Sequence, residues 1–261
     1  MAGWMERAAQ LTAQIERQPS DAAAWAELGQ VLAQAGELEA AKFALRNALA
    51  LAPGDGAARE ALGRVARLLA AEVGRGIPEA LGPWEAVASL GPGRGTRPHF
   101  TEHCAWAVPS REAVERIAAL VGRDRLLEVG AGRGLWARLI ADAGAEGVAV
   151  DLKRLAPAWF EVREQSARQA VAEVEAAVLL LCWPHPKSGM ASEALQAFRG
   201  DTVIYVGESG AGRVTGEDAF FEALRGGWSL AETLAIPTWP GFSDALYVYR
   251  RRGGGPAAGG T

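Results

Sequence analysis

Two periodicities of apolar positions divide the chain. From residue 3 to residue 72, apolar residues recur at helical spacing, which predicts successive amphipathic helices. From residue 101 onward, short apolar runs typical of strands alternate with helical segments. Residues 74–100 are dense in glycine and proline and follow neither pattern. We therefore expect a helical domain at 1–73 and a linker at 74–100, with a short helix within 79–90.

The helical domain contains an internal repeat. Asp21 recurs as Asp55 and Gly29 recurs as Gly63, an offset of about 34 residues. Residues 22–53 resemble one complete tetratricopeptide repeat, with Trp25, Leu28, Gly29, Leu32, Ala41, Leu45, Ala48 and Pro53 at the positions of that pattern. One unit cannot bury its own apolar face. It is expected to pack on the rest of the chain, on a second copy or on a protein partner, or to act as a brace without a ligand.

The order of strands and helices after residue 100 predicts an α/β fold. Strands are expected at 125–129, 147–151, 159–165, 176–183, 202–208, 229–239 and 244–251, and helices at 110–121, 134–143, 166–174, 192–200 and 216–226. This order predicts a Rossmann-like, doubly wound, mostly parallel sheet at 101–252 that closes with an antiparallel hairpin. Ligands of such sheets bind beyond the carboxyl ends of the strands.

Composition narrows the classes of function. The 261 residues carry a net charge of −4 with mixed signs, which argues against a dedicated nucleic-acid binder. Cys104 and Cys182 are too far apart for a disulfide framework or a metal-ligand spacing. No signal peptide and no membrane-spanning run is visible, so we expect a cytoplasmic protein without a membrane partner. The glycine-rich tail at 253–261 is expected to be disordered.

A glycine loop at residues 130–134 separates the first predicted strand from a helix. Glycines stand at 130, 132 and 134, where backbone must approach a cofactor closely. Leu135 occupies the position where the dinucleotide fingerprint requires Gly or Ala. Glu128 precedes the loop, and an ionised carboxylate there would repel a pyrophosphate. The loop therefore favours a cofactor with an ammonium and a sulfonium group, S-adenosyl-L-methionine.

The motif resembles that of the class I S-adenosylmethionine-dependent methyltransferases. The family's E/D-x-G-x-G-x-G motif matches Glu128 with the three glycines, and its acid after the second strand matches Asp151, over a resemblance spanning roughly residues 100–252. The resemblance implies cofactor contacts from Glu128, Gly130, Ala131, Gly132, Gly134, Asp151, Leu152 and Cys182, with Lys153 near the adenine. It implies methyl transfer to nitrogen or oxygen of a small molecule or peptide. The alternatives are a cofactor-sensing scaffold protein, or a methyltransferase whose protein or carrier-bound substrate docks on the helical repeat.

Two residues are candidates for catalysis. His185 follows the fourth strand, and histidine is the side chain whose unperturbed pKa lies near neutral, so His185 is a candidate base, or else an ordinary loop histidine. Glu208 ends the fifth strand and is expected either to orient substrate or to cap the following loop. The run Cys182-Trp183-Pro184-His185 stands where amino-methylating enzymes acting on bases carry Asn/Asp-Pro-Pro-Tyr/Phe. This departure argues against a nucleic-acid substrate.

Aromatic residues are the candidates for binding substrate. Trp106, Trp183 and Trp239 lie near predicted strand ends and are expected to wall an apolar pocket. Phe242 and Asp244, in the turn of the final hairpin, are further candidates. The cluster His99, His103 and Cys104 suggests zinc, but no second pair of ligands lies nearby, so we expect no metal.

Overall fold

The computed structural model describes residues 3–77, 81–210 and 213–253. The chain divides into two compact units, one formed by residues 1–79 with 90–102 and the other by residues 80–89 with 103–261. The domain boundaries expected at residues 73, 100 and 252 stay predictions. The tail expected to be disordered lies, except for residue 253, outside the described residues.

The first unit is built from consecutive helices that each pack on the next. They are α1 (Gly3–Arg17), α2 (Ala22–Gln34), α3 (Leu38–Leu51) and α4 (Gly56–Val73). The repeated aspartates cap two of them. The side chain of Asp21 accepts the amide of Ala24 at 2.9 Å, and that of Asp55 accepts the amide of Ala58 at 2.9 Å. The two aspartates that recur in the sequence are thus the N-cap residues of α2 and α4.

Close approach between α2 and α3 depends on a glycine. A Cβ built on Gly29 would lie 2.5 Å from Leu45 Cγ, so no larger residue fits without movement. Small and aliphatic side chains fill the core of α2, α3 and α4, which comprises Ala26, Ala41, Leu45, Ala48, Ala58, Ala61, Val65 and Leu69. Two short helices follow in the chain. Helix α5 (Pro83–Leu90), which is the helix expected within 79–90, lies almost entirely in the second unit, and α6 (Arg97–His103) lies almost entirely in the first.

The second unit is an α/β sheet with helices between its strands. In chain order come α7 (Arg111–Val121), β1 (Arg125–Val129), α8 (Leu135–Asp142), β2 (Glu146–Asp151), β3 (Val162–Glu164), α9 (Ala167–Glu173), β4 (Val178–Cys182), α10 (Met190–Ala197), β5 (Thr202–Gly207), α11 (Asp218–Gly227), β6 (Trp228–Ala235) and β7 (Ala245–Arg251). The strand order is β3-β2-β1-β4-β5-β7-β6. Among the strand pairs that the structure describes, only the two pairings of β7, with β5 and with β6, are antiparallel. The doubly wound sheet and its closing hairpin are confirmed.

The sheet reverses its winding between β1 and β4. Leu127 pairs with Leu179 across this boundary, and both side chains are fully buried. Crossovers leave in opposite directions from these two strands, which opens a crevice at their carboxyl ends. The glycine loop after β1 and the residues after β4 meet there.

One strand is shorter than predicted. The strand expected at 159–165 spans only Val162–Glu164, because the amide of Trp159 donates to the carbonyl of Arg133 at 2.8 Å instead of extending the sheet.

Within the ranges described, no helix has the length and apolarity needed to cross a membrane.

Candidate functional site

The glycine loop has three residues in left-handed conformations. Gly130, Gly132 and Gly134 have φ angles of 77°, 57° and 75°, a region that side-chain-bearing residues rarely adopt. A Cβ on Gly130 would lie 2.7 Å from Met190 Cε, and one on Gly134 would lie 2.8 Å from Phe160 Cβ. A Cβ on Gly132 would meet no atom of the described residues within 4 Å. Gly134 is needed for packing, because the Cβ and backbone of Phe160 cannot easily move away, whereas Gly130 would meet only the flexible end of Met190 and Gly132 faces open space.

The amides of the loop are bonded within the protein. Those of Gly130 and Ala131 donate to the carbonyl of Val150 at 2.9 and 3.0 Å, and that of Gly132 donates to Asp151 Oδ2 at 2.9 Å. The amide of Gly134 donates to Ala131 at 2.8 Å. A loop that cradles a phosphate leaves such amides free for the ligand. These four are not free.

Glu128 is a buried carboxyl group at the amino end of α8. It is 1% exposed, and it accepts a hydrogen bond from the backbone of Ala137, in the first turn of that helix. Gly134, the N-cap residue, has no side chain to make this bond, so Glu128 caps the helix in its place. Its second oxygen, Oε2, has no hydrogen-bond partner among the residues that the structure describes.

The pKa of Glu128 is raised to about 8. Burial is the main cause, the hydrogen bond from Ala137 opposes it, and the charge of Asp151 adds to the rise. The carboxyl group is therefore mostly protonated at neutral pH as long as no cation lies beside it. A cation placed at Oε2 would favour its ionised form.

Asp151 ends β2 and fixes the loop that faces it. Its Oδ2 accepts the amide of Gly132, and its Oδ1 accepts the amide of Lys153 at 3.3 Å. The residue is only half-buried, and each carboxylate oxygen has a second lone pair. Next to it, Leu152 is 63% exposed, which leaves an apolar surface beside the acid. Asp151 and Leu152 thus border the same open space as Gly132.

Residues 103–108, which we call the crossing segment, connect the two sides of the crevice. The indole of Trp159 donates to the carbonyl of His103 at 2.8 Å, and that of Trp136, at the start of α8, donates to Ala107 at 3.2 Å. The backbone of Ala107 in turn bonds to Cys182 at the end of β4. Burial and then the charges of Glu128 and Asp244 raise the pKa of the Cys182 thiol well above its usual value. Cys182 is therefore a neutral thiol in the floor of the crevice.

Trp183 begins an aromatic group above this floor. Its φ of 52° is the one positive value that the structure describes for a residue other than glycine. Its amide donates to Val206 at 2.7 Å, and its indole donates to Asp244 Oδ1 at 2.8 Å. The ring of Trp106 stacks on it with centroids 5.0 Å apart, and that of Phe242 lies 6.0 Å away. Bulky residues are held in such strained backbone mainly at functional sites.

The two predicted catalytic residues have different surroundings. His185 is exposed, and its Nδ1 accepts the amide of Lys187 at 3.1 Å. Glu208 is buried, and its oxygens accept the amides of Val214 and Ser243, both at 3.0 Å. Glu208 therefore ties the loop after β5 to the β6–β7 turn, the second of the two roles that the sequence left open. A catalytic role for either residue stays a prediction.

Two further candidates, Trp239 and Cys104, are buried side chains. Trp239 is buried in the β6–β7 turn. Cys104 is buried as well, and burial raises its pKa to about 12, so its thiol is a poor metal ligand. In the described part of the chain, no group of three His, Cys, Asp or Glu side chains is placed to hold a metal ion.

Sequence reasoning missed the residues that hold the crossing segment in place. Trp136 and Trp159 bond to carbonyls 29 and 56 positions away, and Ala107 bonds to a sulfur in a distant strand. Nothing local in a sequence marks such partners. The clustering of tryptophans around the predicted strand ends was the one available signal.

Comparisons with known proteins give one family match and several similarities to solved structures. The model of the family described as "Tetratricopeptide repeat" matches residues 22–65, which confirms the repeat predicted from the sequence. No curated protein sequence matches the chain. Among solved structures, the magnesium protoporphyrin IX methyltransferase of Synechocystis PCC 6803 with bound SAM is 15% identical, with a TM-score of 0.43 over 65% of this chain and 89% of that one.

Two further structures are similar at the same level. The N-methyltransferase NodS of Bradyrhizobium japonicum WM9, in complex with S-adenosyl-L-homocysteine, is 12% identical, with a TM-score of 0.44 over 71% of this chain and 97% of that one. The 1,6-didemethyltoxoflavin-N1-methyltransferase of Burkholderia thailandensis is 20% identical, with a TM-score of 0.39 over 67% of this chain and 92% of that one.

Proposed function

We propose that the chain is a methyltransferase that uses S-adenosyl-L-methionine and methylates nitrogen or oxygen of a small molecule or peptide. The observation that carries this proposal is the second oxygen of Glu128, a buried carboxyl oxygen at the amino end of α8 that has no hydrogen-bond partner within the described ranges. Buried polar atoms are rarely left without a partner in the working form of a protein. A cationic group of a ligand supplies the missing partner.

The residues around Glu128 fit this cofactor. Gly132 leaves room for a ligand against the backbone, since no atom in the described part of the chain would lie within 4 Å of a Cβ there. Asp151 has lone pairs left over to accept ribose hydroxyls, and Leu152 offers an apolar surface for a base. We assign Glu128 and the glycine loop to the methionine part, with Cys182 forming the neutral floor.

The same geometry argues against a dinucleotide. A pyrophosphate binds at the amino end of the helix after β1 and accepts amides of the loop. In this chain the Glu128 carboxyl already caps that helix, and the amides of Gly130, Ala131 and Gly132 already have acceptors. A bound pyrophosphate would compete with a carboxylate for the same donors and be repelled by its charge.

The chain's own residues have three tasks in such a reaction. Glu128 and Asp151 bind and orient the donor, the crossing segment excludes water, and the aromatic group of Trp106 and Trp183 positions the acceptor. The bound cofactor would supply an electrophilic methyl group, carried on its sulfonium. Alignment of the two reactants is then the main contribution to rate. His185 is our candidate to take a proton from the acceptor where one must leave.

Titration calorimetry tests the proposal. We expect S-adenosylmethionine and S-adenosylhomocysteine to bind the full-length protein and NAD not to bind. Gly132→Val should abolish binding, because the new side chain enters the open space, whereas Gly144→Val is the matched control at another positive-φ glycine with open surroundings. Binding of NAD in place of the sulfur compounds would refute the proposal. Binding without turnover on any amine or hydroxyl acceptor would instead indicate a cofactor sensor.

The repeat favours a second candidate, a methyltransferase whose protein substrate docks on the helical unit. The match to the tetratricopeptide family and the exposure of Phe43 on α3 support it. Phe43→Ser should then slow methylation of the protein substrate and leave methylation of a short peptide from it unchanged. Equal rates on both substrates with the variant and the parent would rule out docking at this surface.

A further inference from the structure

A flexible apolar side chain covers the first glycine of the loop after β1. Met190 is the first residue of α10, and a Cβ built on Gly130 would lie 2.7 Å from its Cε and 2.9 Å from its Sδ. Apart from Gly130 and its chain neighbours, no other described residue has an atom within 4 Å of that point. Among the residues that the structure describes, the thioether end of Met190 is therefore the cover of this face of Gly130.

The backbone that carries Met190 is fixed, whereas its side chain can move. The amide of Met190 donates to Ser188 Oγ at 3.3 Å, and Gly189 is the N-cap of α10. The side chain is only partly buried and packs against the core of the sheet. Methionine is unbranched and has three rotatable side-chain bonds. Its end can therefore turn away from Gly130, or along a ligand, without a movement of α10.

Gly130 borders the place that we assign to the methionine part of the cofactor. It stands two residues after Glu128, whose Oε2 has no hydrogen-bond partner in the described part of the chain. The amide of Gly130 already donates to the carbonyl of Val150 at 2.9 Å, so it is not left over for a ligand. On this side of the loop, the surface next to Glu128 is therefore the apolar end of Met190.

The methionine part of the cofactor has an apolar middle. Two methylene groups join its charged amino-acid group to the sulfonium, and they have no atoms that form strong hydrogen bonds. Removing them from water against an apolar side chain is favourable in proportion to the area covered. A flexible, polarizable thioether adapts well to such an irregular surface.

We infer that Met190 binds the aliphatic chain of the methionine part and selects donors that carry this chain. The inference rests on the proposed function. The thioether end of Met190 packs on the two methylene groups while Glu128 holds the ammonium group. The thioether is neutral, so its contribution to affinity does not depend on pH, unlike that of Glu128.

Two ligands that differ in this chain test the inference. S-Adenosylhomocysteine carries the chain, whereas 5′-methylthioadenosine has the same adenosine and sulfur with a methyl group in its place. Both are titrated against the full-length protein by calorimetry. We expect Met190→Ala to weaken the binding of S-adenosylhomocysteine about tenfold and to leave that of 5′-methylthioadenosine unchanged. Met190→Leu, which restores apolar volume, should recover most of the lost affinity, and Met5→Ala, at an exposed methionine of α1, is the matched control that should change neither ligand.

Oxidation of methionine gives a second readout in the unmodified sequence. Hydrogen peroxide transfers one oxygen atom to a thioether, which becomes a sulfoxide, and the peroxide leaves as water. The full-length protein is treated with peroxide in the presence and absence of each ligand, and the sulfoxides at Met190 and Met5 are quantified by mass spectrometry. We expect S-adenosylhomocysteine to slow the oxidation of Met190, 5′-methylthioadenosine to slow it less, and Met5 to be oxidised at one rate throughout.

The outcomes separate this inference from the proposed function. Equal losses of affinity for both ligands in Met190→Ala would show that Met190 only supports the fold, and would overturn the inference. Unchanged affinity for S-adenosylhomocysteine in that variant, or no protection of Met190 by this ligand, would overturn it as well. In each of these cases the parent protein binds S-adenosylhomocysteine, so only this inference fails. If the parent protein binds neither ligand, the proposed function fails and the inference fails with it.

Discussion

Binding of the cofactor should release a proton from Glu128. Burial raises the pKa of this carboxyl group to about 8, so about nine-tenths of the free protein is protonated there at pH 7. A cation beside Oε2 requires the ionised form. We therefore expect close to one proton released per cofactor bound at pH 7, read by calorimetry in two buffers that differ in ionisation enthalpy.

The affinity should rise with pH for the same reason. With a pKa of about 8 in the free protein, the ionised fraction increases on the order of 75-fold between pH 5.5 and pH 7.5, and the association constant should follow it. The amino group of the cofactor stays charged over most of this range. Glu128→Gln should flatten the profile, while Glu146→Gln, at an exposed acid on β2, should leave it steep.

Stability of the free protein supplies an independent check with a defined sign. The folded-state pKa of Glu128 lies above the ordinary value of 4.5, so its favourable contribution is complete below pH 4.5 and is lost progressively as pH rises from there through about 8. The full loss is about 5 kcal/mol. Relative to Glu128→Gln, the parent should lose thermal stability between pH 5 and pH 8 and no more above pH 8. A flat cofactor profile together with no relative loss of stability would refute the reasoning.

Other predictions concern the loop and the repeat. Gly132→Ala should weaken cofactor binding at least tenfold and lower stability no more than Gly144→Ala, since both glycines have positive φ and open surroundings; binding and melting of the two variants are compared. Asp151→Asn should weaken binding about tenfold, measured by calorimetry, because one ribose acceptor becomes a donor. Gly29→Ala should destabilise the protein by about 1–3 kcal/mol in urea unfolding, because its Cβ meets Leu45, whereas Gly63→Ala, in open helical surroundings, should stabilise it by about 0.5–1 kcal/mol.

Much of the fold was predictable because its signals are local. Asp21, Asp55 and Ser110 each accept an amide of their own helix three positions on, so helix starts are encoded by single residues. The continuous apolar run of β4 identified a central strand covered on both faces. The strand expected at 159–165 came out short because its first amide bonds to Arg133, a partner that no local pattern marks.

The candidate site was less predictable, because its chemistry depends on burial and on distant partners. The motif located Glu128 but suggested an ionised acid, whereas its surroundings keep it neutral in the free protein. Trp106 and Trp183 were both named as pocket walls, yet their stacking depends on a contact across 77 sequence positions and on the φ of Trp183. Such geometry follows from packing of the whole domain and has no counterpart in residue spacing.

Glu128 and Asp151 both accept hydrogen bonds within the fold and are proposed to bind the ligand. Substitutions at these positions must therefore separate the two roles. One oxygen of Glu128 caps α8, and one oxygen of Asp151 holds the amide of Gly132. Replacement by alanine leaves those amides without an acceptor, which costs about 1–3 kcal/mol for each buried group. Glu128→Gln and Asp151→Asn remove the charge and turn one oxygen into an amide donor, but each retains one oxygen that can accept the loop or helix amide. The affinity lost in the Gln and Asn variants therefore measures the contacts of the two acids with the ligand. The further affinity lost in the alanine variants measures the disturbance of the loop and of the helix start.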